Sequence, residues 1–357
     1  MRPPGQLRKL YIDILSQNLR GFSYEKEEEF IQRIKAERVW AASVQETWRV
    51  GSERWQNQGI TFLHRGLATR RPGRRAVQGV AIVLSAAARD AWISAGSKVC
   101  FFGKRIIATS LQIVDPAGRP FLIYLVSAYA PDSSKPQRDH DEYEENLECC
   151  VASCPKTAVL IIGSDANASV GVRSRHDQQK DDRVCGPFGI DKTNAAGQRL
   201  RGFMGRHELC APTTFFRRSP RGRHTTTHDT WINPRNKNPH QIDHFIVRQK
   251  DLKRVRNAGA CSWGMESDHR AILMKLEVVR SIPRSRAPRE VRVDRSRLRD
   301  EECCASFQEA VTIQMEKLRA EEPNLSRLAM LEKAMTSAAV EVLATEGRRR
   351  KGWFAAR

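Results

Sequence analysis

No apolar run in this chain approaches the length of a membrane span, so no membrane partner is expected. The N-terminal stretch, Met1-Arg2-Pro3-Pro4-Gly5, runs into a basic strand and lacks the apolar core of a secretion signal. Cysteine occurs nine times, an odd count, but never as C-x-x-C or in paired clusters with His, which argues against a zinc module. Cys149-Cys150, Cys154 and Cys303-Cys304 lie in helical-looking stretches and read as reduced, mostly packed thiols. No internal repeat is visible. Acid is in short supply: 41 Asp and Glu face 61 Lys and Arg, a formal +20 with a pI near 10.0. Such an excess points to a polyanionic partner, because basic surface gains affinity by releasing counterions from phosphate. The expectation is a soluble, intracellular and nuclear protein that meets DNA.

At 357 residues the chain has room for one large domain and an appendage. Leu10 to Leu19 alternates as a strand. Ser23 then caps a helix with Glu25, Glu27, Glu28 and Glu29 in its first turn and Phe30, Ile31 and Ile34 on its apolar face. Val39 to Val44, Gly79 to Leu84, Arg105 to Val114, Phe121 to Ala130 and Ala158 to Ile162 read as strands, with a turn at Asp115-Pro116-Ala117-Gly118. Helices are expected over Asp139 to Ser153 and around Ala195 to Gly205, and further strands near Leu209 to Phe216, Ile242 to Val247 and Ala271 to Val278. The division is a domain over 8–280, a basic Arg/Pro-rich linker over 281–299 and a helical tail over 300–357. In the tail, Cys303, Phe307, Ala310, Val311, Met315 and Leu318 recur at helical spacing, as do Leu328, Leu331, Met335, Ala338 and Val342. This predicts a hairpin split at Pro323. From Ser281 onward there are 16 basic and 12 acidic residues, so +16 of the +20 falls on the preceding domain.

Five polar signatures close apolar runs: Gln17-Asn18-Leu19-Arg20-Gly21, Gln45-Glu46-Thr47, Gly163-Ser164-Asp165-Ala166-Asn167-Ala168, Gln241-Ile242-Asp243-His244 and Ser267-Asp268-His269. Polar residues at strand ends can converge on one rim of a sandwich. Glu46 offers the hard oxygen that Mg²⁺ prefers, although a lone Glu after a strand is ordinarily solvated surface. Asp165 can orient or deprotonate a water while Asn167 holds a phosphoryl oxygen, where the bland reading is an Asx turn. His269 can serve as acid, base or transition-state stabiliser, with Asp243 fixing its tautomer. Tyr129 can reach phosphate through its phenol. Among the basic runs, Arg70 to Arg75, Arg348 to Lys351 and Arg217, Arg218, Arg221 and Arg223 can track DNA phosphates or serve nuclear import. The run at Arg217 lies between motif-bearing strands and is the preferred DNA contact.

Taken in order, these signatures resemble the endonuclease/exonuclease/phosphatase superfamily, most nearly the apurinic/apyrimidinic endonuclease-like domains of non-LTR retrotransposons. The resemblance spans Tyr11 to Val279, with Thr213-Thr214-Phe215-Phe216 and Asp229-Thr230-Trp231 in support. It implies a four-layer α/β sandwich, two packed mixed sheets flanked by helices, followed here by the helical hairpin. It also implies a DNA endonuclease using Mg²⁺, or alternatively Mn²⁺, that leaves a 3′-hydroxyl. By the same resemblance Asn18, Glu46 and Asp268 belong to the metal side, Tyr129 and Asn167 contact phosphate, Asp165 activates water and Asp243 orients His269.

Two departures stand out. Arg20 occupies the place where DNA-repair relatives carry an acid, and a Ser intervenes between Gly163 and Asp165, which is expected to shift that turn. The tail resembles the connector that leads to a reverse transcriptase domain in retroelement polyproteins, ending in Gly347-Arg348-Arg349-Arg350-Lys351-Gly352-Trp353-Phe354. Competing readings are a catalytically silent nucleic-acid binder and a phosphoinositide or other phosphoesterase of the same superfamily.

Overall fold

Apolar alternation with period two builds most of this molecule. The computed structural model describes residues 10–69, 77–114, 118–173, 183–190, 192–218, 227–279, 293–323 and 325–343. It divides into two compact units, Met1–Ser281 and Ile282–Arg357. The first unit begins with β1 (Leu10–Asn18), α1 (Tyr24–Ala36), β2 (Ala41–Gln45), β3 (Ser52–Asn57), β4 (Ile60–Arg65) and β5 (Val80–Leu84). There follow α2 (Ala86–Ser94), β6 (Val99–Phe102), β7 (Ile106–Val114), β8 (Pro120–Tyr129), α3 (Gln137–Ala152) and β9 (Val159–Asp165). The unit closes with α4 (Ala195–Arg206), β10 (Leu209–Cys210), β11 (Trp231–Ile232), β12 (Pro239–His240), β13 (Asp243–Arg248), β14 (Val255–Ala260) and β15 (Ile272–Val279).

Two mixed sheets result. One runs β14-β15-β1-β2-β5-β4-β3 and the other β10-β13-β9-β8-β7-β6, with β11 and β12 forming a separate hairpin. Among the described residues only β1–β2 and β8–β9 pair in parallel within these sheets. Side chains on alternate positions separate the layers. Ile14, Ile82, Ile107, Leu125, Ile161 and Phe245 fill the space between the sheets. Leu15, Ala42, Val83 and Leu273 face outward onto Phe30, Ile31 and Ile34 of α1. Val126, Leu160 and Ile162 do the same beneath Leu147 of α3 and Phe203 of α4. Each fully buried side chain of this size contributes about 1.5–3 kcal/mol, so three apolar residues suffice to seat α1. Its start is set by Ser23, whose hydroxyl accepts the Lys26 N–H at 3.3 Å, with Glu25 and Glu27 in the first turn.

The sheets come closest at one end, and a polar network spans the gap. Gln45 Nε2 donates to Ser16 Oγ, Ser127 Oγ and Gly163 O, each at 3.2 Å. Ser43 Oγ reaches Val126 O at 3.1 Å, and Ser127 Oγ reaches Val44 O at 2.9 Å. Gly163 is required there: a Cβ at this position would lie 2.7 Å from Ser43 Cβ and 2.9 Å from Ser16 Cβ.

Four expectations change. The segment after Leu209 is not a long strand: β10 stops at Cys210 and a 3₁₀ turn occupies Pro212–Thr214, since Pro212 has no N–H for a ladder. Ser164 does not shift its turn. Strand β9 keeps unbroken register with both neighbours, Ser164 pairing with Ala128 and His244 and Asp165 with Tyr129 and Asp243. Ser164 is simply the next-to-last strand residue. In the second unit α5 (Glu301–Glu321) and α6 (Arg327–Val342) form the hairpin, but the buried stripe of α6 is Met330, Ala334 and Ala338. Leu328, Leu331 and Met335 of the expected stripe are exposed, because the small alanines, spaced by four, allow the closer helix approach. The expected linker also folds in part, since Asp294 N–H donates to Leu343 O at 2.9 Å and Arg297 to Val342 O at 3.1 Å. Arg70 to Arg75, residues 115–117 of the expected turn, most of the linker and the Arg348 to Lys351 run lie outside the described residues.

Candidate active site

Three adjacent strands of the second sheet end level with one another. Tyr129 of β8 pairs with Asp165 of β9, which pairs with Asp243 of β13. Period two then carries the close approach of the sheets to the site. Asn18 lies two residues beyond Ser16 and Asp165 two beyond Gly163, so both point into the same seam. Asn18 Nδ2 donates to Asp165 Oδ2 at 2.8 Å. The amide oxygen of Asn18 is engaged as well, accepting the Arg20 N–H at 3.0 Å. Beyond the strand, Asn167 N–H donates to Asp165 Oδ1 at 3.1 Å, and Asn167 Nδ2 holds Ala130 O at 3.0 Å.

His269 enters from the loop before β15. Its Nδ1 sits 3.0 Å and 3.2 Å from the two oxygens of Asp243. Gln17 fixes that loop by donating to Met265 O at 2.9 Å and His269 O at 3.2 Å, while Ser267 Oγ donates to Asn18 O at 2.9 Å. The segment Asp229-Thr230-Trp231 braces the other side. Asp229 pairs with Arg270 at 2.8 Å, Thr230 Oγ1 accepts the Asp243 N–H at 3.0 Å, and Trp231 bridges to His269 in the backbone. His244 points to the opposite face. Its Nε2–H donates to Ala168 O at 3.0 Å and its Nδ1 lies 3.2 Å from Thr213 Oγ1, which anchors the loop carrying Asn167.

Asp165, Asp243 and His269 present ligand atoms within 4.8 Å of one another, all buried. Burial opposes charge on His269, but the carboxylates of Asp243 and Asp165 outweigh it and hold the imidazole up to about 10. Burial, then the nearby Asp243 charge, push Asp165 up to about 7 against the pull of His269 and the Asn18 amide. The trio is thus a proton-holding cluster, with the imidazolium Nδ1–H directed at Asp243.

Glu46 follows β2 in a left-handed conformation, φ 51°. Tyr129 donates its phenol to Glu46 Oε1 at 2.6 Å, and Trp48 Nε1 donates to Oε2 at 3.2 Å. Burial and the Glu46 and Asp165 charges raise the Tyr129 pKa, so the phenol stays protonated. Arg105 lies 4.9 Å above the Tyr129 ring and donates to Tyr129 O at 3.3 Å. Both partners of Glu46 are neutral, and among the described residues no cation compensates it. A half-exposed carboxylate of this kind fits a hard divalent cation. Asp268 differs: its Oδ2 receives Arg20 Nη1 at 2.9 Å and Trp231 Nε1 at 3.2 Å.

The structure therefore links Asn18, Asp165 and Asn167 by hydrogen bonds and Asp243 to His269, brings Asp165, Asp243 and His269 within 4.8 Å of one another, sets Tyr129 and Glu46 together, and couples Asp268 to Arg20. The basic segment does not follow expectation. Arg217 is exposed, but Arg218 turns into the fold and donates to Phe216 O at 3.2 Å and to Ala258 O, with burial lowering its pKa. The Arg218 guanidinium is thus spent on backbone carbonyls and does not face solvent as expected. Arg221 and Arg223 lie outside the described residues. The supporting residues to which sequence reasoning gives no role are Gln17, Gln45, Arg105 and Trp231, three of which nevertheless stand in its motifs. Gln17 and Gln45 carry a signal as polar residues inside apolar strands, and Trp231 as part of Asp229-Thr230-Trp231.

The sequence matches no family model. It is 29% identical over 216 residues to craniofacial development protein 2 of Bos taurus, and 28% identical over 216 residues to the same-named protein of Tragulus javanicus. These matches cover 59% of the chain but only 32% and 33% of the relatives, so the chain spans about a third of their length. Among solved structures it is similar to the endonuclease domain of TRAS1, a telomere-specific non-LTR retrotransposon, with TM-score 0.50 and 17% identity. That superposition covers 75% of this chain and 100% of the other. An AP endonuclease, LMAP from Leishmania major, superposes with TM-score 0.52 at 13% identity, covering 75% of this chain and 88% of the other. At such identities what is shared is architecture: the chain has the sandwich of two packed mixed sheets flanked by helices found in both of these nucleases.

Proposed function

We propose that this chain is a divalent-cation-dependent DNA endonuclease that hydrolyses one phosphodiester and leaves a 3′-hydroxyl. The observation that carries the reading is the two pairs Asn18–Asp165 and Asp243–His269 side by side at one rim, with ligand atoms of Asp165, Asp243 and His269 within 4.8 Å of one another and Glu46 and Tyr129 beside them. Asp165, raised toward neutrality and oriented by Asn18 and the Asn167 N–H, would accept a proton from the attacking water as its oxygen bonds to phosphorus. The P–O3′ bond then breaks and the departing oxygen takes its proton from solvent. His269, kept charged by Asp243, would stabilise the negative charge of the pentacovalent state. Tyr129 and Asn167 would hold phosphoryl oxygens. Glu46 would bind Mg²⁺ or Mn²⁺, which would neutralise charge building on the phosphate.

The basic excess of the sequence supports a nucleic-acid substrate and a nuclear setting. An origin in a non-LTR retrotransposon, with a reverse transcriptase domain as partner in a longer polyprotein, is part of the same proposal. Nicking of supercoiled plasmid with Mg²⁺ or Mn²⁺ tests it. Wild type should nick, and Glu46→Ala and His269→Ala should each lose at least about 100-fold in rate. Salt-sensitive DNA binding without any nick would leave only a silent binder.

A further inference from the structure

Arg20 and Asp268 join two of the five sequence signatures through an ion pair, as His269 and Asp243 do, and here the cation is a guanidinium. We propose that Arg20 is a substrate-contacting catalytic residue whose guanidinium, tethered by Asp268, neutralises phosphate charge, and that cation binding rests on Glu46 without Asp268. The proposal builds on the nuclease reading of the same site and assigns charge neutralisation within it.

The two rim carboxylates differ in their partners. Glu46 receives a phenol and an indole, both neutral, and keeps its full charge for a cation. Asp268 Oδ2 already receives a guanidinium and an indole N–H, so its charge is compensated. A divalent cation on that oxygen would stand beside the Arg20 charge and be repelled by it.

Arg20 is also held where a substrate would meet it. Its backbone is left-handed, φ 46°, and its N–H is fixed by Asn18 Oδ1 at 3.0 Å. The next residue, Gly21, donates to Glu46 O at 2.7 Å, and Phe22 donates to Thr47 O at 2.9 Å. The Trp48 ring lies on Gly21, where a Cβ would come within 2.6 Å of it. The loop bearing Arg20 is therefore zipped to the loop bearing Glu46, which fixes one charge relative to the other. Asp268 uses only Nη1, and the Arg20 side chain remains 47% exposed, against 24% for Asp268. A guanidinium has five N–H donors, so several are left for phosphate oxygens.

Those donors border an open cleft lined also by Lys26, Trp48, Arg49 and Glu53. Lys26 Nζ is held by the carbonyls of Leu19 at 2.9 Å and Glu266 at 3.3 Å, which leave its charge uncompensated. Arg49 is spent on Glu27 at 2.7 Å. The cleft thus places the cations of Arg20 and Lys26 beside the site, with Glu53 as an acid in the same lining.

Two measurements on the full chain test this: Mn²⁺ titration followed by the electron paramagnetic resonance of free Mn²⁺, and metal-free binding of a duplex oligonucleotide across a salt series. Glu46→Gln should weaken Mn²⁺ binding by at least about tenfold, whereas Asp268→Asn should change it by less than about twofold. Arg20→Ala should leave Mn²⁺ affinity equal or tighter, lower the salt slope of DNA binding by about one, and slow nicking by about 100-fold or more. Arg20→Lys should restore the slope but not the rate, because an ammonium lacks the planar fork. Loss of Mn²⁺ binding in Asp268→Asn equal to that in Glu46→Gln would overturn the proposal. So would an unchanged salt slope in Arg20→Ala. A wild type that binds Mn²⁺ but never nicks would sink the nuclease reading, while the ranking of Glu46 over Asp268 would still stand or fall on the titration. A wild type that binds no Mn²⁺ overturns both.

Discussion

Asn18 and Asp165 come from opposite sheets, 147 residues apart in sequence, and meet at 2.8 Å through an amide N–H on a carboxylate oxygen. That contact exists because the sheets touch two residues earlier, where Ser16 faces Gly163. Asn18 donates to the group that, in the proposed reaction, takes the proton from water, and the prediction is that it acts through Asp165 rather than on a cation. A hydrogen bond to a charged group contributes about 1.5–3 kcal/mol, which corresponds to about 10–150-fold in rate. Asn18→Ala should therefore lower the single-turnover nicking rate within that range while Mn²⁺ affinity stays unchanged. Because the amide holds Asp165 down, its removal should also move the acid limb of the pH–rate profile upward. An unmoved limb would argue that Asp165 is not the base.

The same cluster sets how stability depends on pH. Asp165 rises from an ordinary 3.8 to about 7 and His269 from 6.5 to about 10. Both groups bind protons more tightly when folded, so each contributes stability that is complete below its unfolded pKa and lost as pH rises through its folded pKa. Without divalent cation, the melting temperature should fall from pH 4 to 7 as Asp165 ionises, and again toward pH 10 as His269 loses its proton. Asp165→Asn should flatten the first fall and His269→Gln the second, by scanning fluorimetry across that range. A melting temperature that climbs over the first interval in the wild type would refute the assignment to Asp165.

Gly163 offers a different kind of test, because its role is purely steric. A methyl there would press on Ser43 Cβ and Ser16 Cβ at 2.7 Å and 2.9 Å, and both belong to strands in the opposite sheet. Overpacking of this kind costs about 1–3 kcal/mol. Gly163→Ala should lower the melting temperature by about 2–4 °C for each kcal/mol lost in a domain of this size. Activity should fall further than stability accounts for, since prying the sheets apart also separates Asn18 from Asp165. Full activity in a destabilised Gly163→Ala protein would show that the seam tolerates more play than the 2.8 Å contact implies.

What was legible in the sequence follows from where physics acts locally. Apolar runs that end in Asn18, Asp165 and Asp243 mark strands and their mouths, because period two and a buried sheet leave few alternatives. Ser23 with acids in the next turn announces α1 for the same reason. The remainder depends on partners far away in sequence. Nothing adjacent to Arg218 tells that its guanidinium finds Ala258 O, 40 residues on. The period of α6 admits two stripes, and only the presence of α5 selects Met330, Ala334 and Ala338. Ser164 looked like an insertion, yet the ladders on both sides of β9 absorb it without a bulge.

Arg217 and Arg218 supply the sharpest contrast between charge that meets solvent and charge that meets backbone. Neighbours in sequence, they diverge in space: Arg217 is exposed, while Arg218 reaches Phe216 O and Ala258 O against Gly259. Removing Arg218 leaves two carbonyls short of a donor and a void where the side chain lay, at about 1–3 kcal/mol for each buried group left unsatisfied. Arg218→Ala should therefore lower the melting temperature and leave the salt slope of DNA binding unchanged in the folded fraction. Arg217→Ala should do the reverse, with stability within about 0.5 kcal/mol of wild type and, where the residue meets phosphate, a slope reduced by about one. Equal slopes for both variants and wild type would remove this segment from the DNA path and leave the cleft beside Arg20 as its remaining candidate. A slope reduced by Arg218→Ala would mean that the inward guanidinium is released when DNA binds.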